Sequence, residues 1–374
     1  MVDQFYSPES FQVATPDAGL AATTDRLFYL DALKAFSITA VVSFHSLFIP
    51  AKSYTAHLAS MEIIFAPLRF CVPVLLTISF LLLERSLSRR PEQSSGRLLQ
   101  KRLLRLAIPA VFWFGVTALL KVCTGNSLLT IAQQLLTGNL FTGAYYFLIL
   151  FQLIPLYLYL RSRVRVANLI WVGLATQLVV FGLMYILFRH GISSVLLSQF
   201  RHLDRAPFFY WMIYPILGAY LYHRLPSWHF RTLSQSFIVK GLVLLGLSLL
   251  FWFESSHLSE TLHYNIPPFD YLLIACVLSP VVYFTCFMDL EENHVPRPWI
   301  GIIRLLSKYS LGIFCVNGIL SQTLLSLGSR WVGGMTFSLP EVLLIKLIGW
   351  MVLLCISLGV SIMLDRAGLK VVVC

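Results

Sequence analysis

Apolar residues recur along the chain in blocks about as long as a bilayer's hydrocarbon core is thick, separated by short polar or basic breaks. The blocks predict helices over roughly 28–49, 62–83, 104–122, 145–160, 167–188, 206–222, 238–253, 268–288, 306–327 and 340–363. The fourth and seventh are short enough to be tilted, displaced or partly re-entrant. The expected fold is therefore all-α: a polytopic membrane protein of about ten transmembrane helices. Residues 1–25 are polar, contain Pro8 and Pro16, and read as a disordered tail ahead of one transmembrane domain at 26–370. They lack a basic start followed by a short apolar core, so no cleavable signal peptide is expected.

Composition agrees with the blocks. Of 374 residues, 57% are hydrophobic and 12% charged, with a mean hydropathy of +0.77; soluble domains carry about twice that charge. Charge then sets orientation. Arg85, Arg89, Arg90, Arg97, Lys101, Arg102 and Arg105 follow the second block, and Arg161, Arg163 and Arg165 the fourth. Arg224, Arg231 and Lys240 follow the sixth, Arg297, Arg304 and Lys308 the eighth, and Arg366 and Lys370 the tenth. All fall on one side if both termini are cytoplasmic. The net charge of +11 then describes short juxtamembrane loops, which makes nucleic acid an unsuitable partner. Seven cysteines are scattered without C-x-x-C or metal-ligand spacing, so neither a disulfide framework nor a zinc site is expected.

Ionisable residues within apolar blocks mark candidate chemistry, because charge is costly in lipid. Asp31, Lys34 and His45 share one side of the first block: the eleven-residue step from Lys34 to His45 returns to nearly the same face, about 16 Å further along. His45 reads either as a helix-end histidine or as a general base in a polar cavity. Asp31 and Lys34 read as an interfacial ion pair or as a held cation facing an anionic substrate. Arg69 is expected in the outer half of the second helix, ahead of a Pro73 kink, either snorkelling or facing the cavity of His45. Lys101, Arg102 and Arg105 suit positive-inside topology and polyphosphate binding equally. Tyr145 and Tyr146 read as belt aromatics, with Gln152 a buried amide able to orient a substrate, and Asn317 as a buried amide in need of partners. Glu254, His257, Glu260 and His263 could ligate a metal, but a solvated loop is the simpler reading.

Taken in order, these segments resemble the integral-membrane acyltransferase-3 family, whose members O-acylate extracytoplasmic sugars and lipids. The family's opening Asp, Arg and His match Asp31, Lys34 and His45. Its valine-proline segment matches Val72-Pro73 through Ser79-Phe80, and its arginine-proline segment Lys101-Arg102 through Arg105 and Pro109. Its aromatic segment is similar to Tyr145-Tyr146-Phe147-Leu148 with Gln152, and its last motif to Ser310 through Asn317. Lys34 stands for the family's arginine, Phe80 for glycine and Asn317 for histidine, and Ala144 stands where many members have histidine.

The resemblance implies transfer of an acyl group, acetyl by default, from cytoplasmic acyl-CoA to a hydroxyl of an extracytoplasmic carbohydrate or glycolipid. No bound cofactor or metal is implied. His45 would act as base, Arg69 would stabilise developing negative charge, and Asp31 and Lys34 would line the entrance. Lys101, Arg102 and Arg105 would hold the donor's phosphates. Glu62 would orient His45, and Tyr145, Tyr146, Gln152 and Asn317 would face substrate. The expected location is the bacterial plasma (inner) membrane. Two other readings stand beside this one: a transporter of glycan, lipid or acyl anion, and a catalytically silent relative that scaffolds glycan synthesis.

Overall fold

A computed structural model describes residues 27–89, 95–189, 204–224, 236–261, 269–332 and 334–374. The 1–25 tail, Arg90, Arg231 and His263 lie outside these residues. Each of the ten apolar blocks carries a helix, and the described residues contain no strand. The helices are α1 (Phe28–Phe44), α2 (Leu58–Phe65), α3 (Cys71–Ser88), α4 (Ser95–Cys123), α5 (Leu128–Leu136), α6 (Tyr145–Arg163) and α7 (Val166–Arg189). They continue as α8 (Ile213–Arg224), α9 (Phe237–Thr261), α10 (Ile274–Phe287), α11 (Arg297–Lys308), α12 (Ser310–Val332), α13 (Leu339–Arg366) and α14 (Lys370–Val373).

Seven of these stretches are long and apolar enough to cross a membrane: the run Ala51–Ser88 that contains α2 and α3, and α4, α6, α7, α9, α12 and α13. The chain is thus an all-α, polytopic integral membrane protein. Three blocks expected to span form shorter helices: α1 has 17 residues, α8 has 12 and α10 has 14, against about 20 for a full crossing. α1 stops early because the backbone tightens at His45, whose N–H donates to Val42 at 3.1 Å. Ile49-Pro50 then bars a return to helix.

The second block is also divided. Pro67 has no N–H to give the ladder, and Ala66–Phe70 winds as a 3₁₀ turn between α2 and α3. Arg69 therefore sits in this turn rather than inside a continuous helix. Pro73 lies in the first turn of α3, where a missing N–H costs nothing, so it starts that helix instead of kinking it.

α1 is the hub. It packs against α3, α10, α11, α12 and α13, and Leu33, Ile38 and Val42 are fully enclosed. α3 lies along α8, where Gly218 permits the contact: a Cβ there would come within 2.6 Å of the Thr77 carbonyl. α11 is amphipathic rather than spanning. Its Ser307 hydroxyl donates to Asp31 at 2.5 Å, and Lys308 joins Asp365 at 2.7 Å. The Asp365 carboxylate and the Tyr309 hydroxyl hold the Lys308 ammonium above its ordinary pKa.

One buried acid ties three helices together. Glu84 of α3 has no exposed surface. It accepts hydrogen bonds from Tyr157 at 2.5 Å and from two nitrogens of Arg161 at 2.8 and 2.9 Å, both on α6. Nε2 of His223 on α8 lies 3.0 Å from the same carboxylate. A buried carboxylate is tolerated only when paired and hydrogen-bonded in this way. Glu84→Ala leaves Arg161 without its counter-ion, and we expect a loss of about 3 kcal/mol. A thermal melt of the detergent-purified protein checks this, with Glu84→Gln falling between the wild type and the alanine variant.

Candidate functional site: two cavities separated by an aromatic partition

His45 caps the C-terminal end of α1 and is held there by the last long helix. Lys346 of α13 donates from Nζ to the Ser43 carbonyl at 2.6 Å. Ser46 donates to the Ser43 carbonyl at 2.8 Å and to the Lys346 carbonyl at 3.1 Å. Trp350 donates to the Thr39 carbonyl at 3.0 Å. The two bonds to Ser43 satisfy a carbonyl in the last turn of α1, where the helix supplies no partner of its own. Gly349 lets α13 come this close, since a Cβ there would collide with the Ser46 carbonyl.

The half-buried His45 ring opens on a cavity of about 570 Å³, within the range of small-molecule sites. Glu62, Arg69 and Tyr145 line the same cavity, together with Arg205, Asp270, Tyr271 and Lys346. Four residues singled out by the sequence therefore meet: His45, Glu62, Arg69 and Tyr145. Arg69 is buried and donates from Nη1 to Ser255 of α9 at 3.0 Å. The Tyr145 hydroxyl lies 3.2 Å from that of Tyr271. Arg205 pairs with Asp270 at 2.7 Å, and its guanidinium stands over both tyrosine rings at 5.8–5.9 Å. Asp270 Oδ1 and Arg205 Nε are buried without a partner among the described residues. Groups of this kind require a ligand or water.

The remaining candidates lie elsewhere. Asp31 and Lys34 sit at the other end of α1, apart from this cavity. Gln152 uses both ends of its amide on a loop: Nε2 donates to the Ala206 carbonyl at 2.9 Å, and Oε1 accepts from Phe208 N–H at 3.2 Å. It positions the segment that carries Arg205 instead of facing the cavity. Asn317, 1% exposed, has neither amide atom partnered among the described residues. Glu254 caps α10 by accepting from the N–H groups of Ile274 and Ala275 at 3.1 and 2.9 Å, which gives it a structural role.

Arg102 and Arg105 line a second cavity of about 200 Å³ with Ser79, Phe80, Leu83 and Leu150. Arg102 donates to Ser86 at 2.6 Å. Lys101 is exposed and lies off this cavity. Tyr146 stands between the two chambers. Its hydroxyl is 3.4 Å from Ser79, which lines the second, and its ring packs at 5.4 Å on Phe314, which lines the first.

Arg205, Asp270 and Lys346 are the residues that spacing along the chain does not bring together. Lys346 carries the one local signal, a lysine inside an otherwise apolar block.

No curated protein and no solved structure matches the chain. A sequence model of the acyltransferase-3 family, described as an acyltransferase domain, matches residues 27–366. That span runs from the start of α1 to the last residue of α13 and includes both cavities. The chain belongs to the acyltransferase-3 family.

Proposed function

We propose that this protein moves an acyl group, acetyl by default, from cytoplasmic acyl-CoA to a hydroxyl of an extracytoplasmic carbohydrate or glycolipid. The observation that carries this reading is the pair of chambers: a histidine with three cations in one, two arginines in the other, and a single aromatic partition between them. In this reading α1, α8 and α10 complete ten crossings of a bacterial plasma membrane, and both termini are cytoplasmic. The basic loops support that orientation.

Arg102 and Arg105 bind the donor's phosphates by charge-assisted hydrogen bonds. The pantetheine arm then carries the thioester past Tyr146 to His45, a distance on the order of the 16 Å rise between Lys34 and His45. Ser37, Thr77 and Asn317 leave buried polar atoms unpartnered among the described residues, on α1 and on α3 and α12, which each pack against it. An arm with amide groups could satisfy them.

His45 takes the proton of the acceptor hydroxyl, and the oxygen attacks the thioester carbonyl. Arg69 faces the negative charge that develops on the carbonyl oxygen. As the C–S bond breaks, the departing thiolate takes the proton from His45, leaving an ester and free CoA thiol. Glu62 and the Arg205–Asp270 pair bind acceptor hydroxyls around this point, beside Tyr145.

His45→Ala should lower kcat by about 10²–10⁴ with the fold intact. The check is the mass of surface glycans and lipids from cells that carry the variant. An acyl increment lost in a deletion strain but retained with His45→Ala would remove the histidine from the chemistry. Replacing Arg102 and Arg105 together by alanine should raise the KM for acyl-CoA by about tenfold or more and change kcat far less, because phosphate contacts are present equally in ground and transition states. Lys101→Ala, off the cavity, should leave KM within about twofold in the same steady-state assay.

A further inference from the structure

A third hollow opens beside the His45 cavity, toward the membrane. It measures about 250 Å³ and lies between α1, the α2 end and α13. Phe36, Leu343, Leu347 and Trp350 give it an apolar wall, and Phe36 and Leu347 are about half exposed. In a spanning protein such exposure faces lipid. Phe65 and Lys346 line both this groove and the His45 cavity. The groove is thus a side arm of the candidate active site.

Its upper end distinguishes it from a surface merely wetted by bilayer lipid. Lys346 is 5% exposed and lies about 10 Å, seven residues, inside the end of α13. Its ammonium stands 4.4 Å over the Phe65 ring and donates to the Ser43 carbonyl. An ammonium has three N–H donors, and that carbonyl takes one. A neutral carbonyl and a ring face do not neutralise a charge at this depth, whereas an anion does. An apolar slot that leads up to a cation, and beyond it to a histidine with hydrogen-bonding side chains, matches one kind of molecule in three parts. These are a hydrocarbon chain, a phosphate and a sugar.

We propose that the acceptor is a lipid-linked sugar phosphate. Its single apolar chain lies in the groove, its phosphate on Lys346 and its sugar in the His45 cavity. The groove volume is below the roughly 300 Å³ at which drug-sized sites begin, which suits one chain better than the two of a diacyl lipid. A soluble glycan would use neither the groove nor the lysine. A long acyl chain on the donor would fill the groove but would present no anion to Lys346. This assignment rests on the acyl-transfer reading of the His45 cavity and specifies its acceptor.

The test uses the full-length protein in phosphatidylcholine nanodiscs and a fifteen-carbon prenyl phosphate that carries a photoreactive diazirine. Labelled peptides are mapped by mass spectrometry. We expect label on the α1 peptide spanning Phe36 to Ser43 and on the α13 peptide spanning Leu343 to Trp350. Unlabelled prenyl phosphate should compete at least tenfold better than the corresponding uncharged prenol. Lys346→Met should reduce labelling about tenfold. Leu347→Trp, at a lipid-facing position that does not disturb packing, should block the groove and do the same. Label spread evenly over α7, α9 and the other lipid-facing helices would overturn the proposal, and so would equal competition by prenol. His45→Ala should keep the label while losing acylation in cells. If it keeps both, the acyl-transfer reading fails while the lipid site stands.

Discussion

The hydrogen bond from Lys346 to the Ser43 carbonyl joins the last long helix of the chain to the end of the first. Its two partners lie 303 residues apart, and the bond braces the end of α1 next to the turn that carries His45. Two glycines let the backbones approach closely enough for it to form. A Cβ on Gly349 would meet the Ser46 carbonyl, and one on Gly328 would meet that of Phe48. The polypeptide from Ser46 to Phe48 is thereby clamped between α12 and α13, and the turn that carries His45 inherits that rigidity. Side chains held by packed helices keep their geometry better than side chains on free loops. His45 has the placement of a loop residue and the support of a helical one.

A low-dielectric interior also dictates how the remaining charge is arranged. Glu84 and the Arg205–Asp270 pair are far apart in the fold and serve opposite ends. At Glu84 every lone pair has a donor, from Tyr157, Arg161 and His223, so the group is spent on joining α3, α6 and α8. At Arg205–Asp270 one atom on each side is left unpartnered among the described residues. Satisfied burial reads as structure and unsatisfied burial as a place for a ligand. The same distinction separates Gln152, consumed by the loop at Ala206 and Phe208, from Asn317, whose amide has no partner among the described residues.

Hydropathy located the helices because a block of apolar residues in lipid has to satisfy its own backbone, and a helix does so within one segment. It did not resolve where helices break. The 3₁₀ turn at Arg69 depends on Pro67, a single residue inside an apolar run. The early end of α1 depends on Pro50 and on contacts with α13. That His45, Arg69 and Tyr145 belong to one site, and that Arg102 and Arg105 act together with Lys101 beside them, was implied by the resemblance to the family's motifs and not by the spacing itself. Arg205 and Asp270 were not legible, because a salt bridge between two loops 65 residues apart has no period to betray it. Lys346 obeys the rule that singles out Asp31 and Lys34, but its partners become visible only when the first and last helices meet. The second cavity is lined by Arg102 and Arg105 but not by Lys101, and no sequence pattern within one helical turn encodes that.

The partition between the two chambers has a physical logic of its own. Phe314 fits over Gly143, a residue with φ +93° where a Cβ would come within 2.7 Å of the ring; both the backbone conformation and the ring require glycine there. Tyr146 leans on Phe314 and reaches Ser79 at 3.4 Å, a long contact and hence a weak one. On the acyl-transfer proposal, a thioester carried from the arginine chamber to the histidine chamber has to displace that contact. Exchanging a weak hydroxyl–hydroxyl bond for one to an amide of the donor arm costs little, because one hydrogen bond replaces another. On that proposal the partition yields to a molecule able to replace what it breaks. A bare water chain offers the hydrogen bond but not the apolar contact that Phe314 gives up, so a barrier of this kind favours a donor arm over solvent.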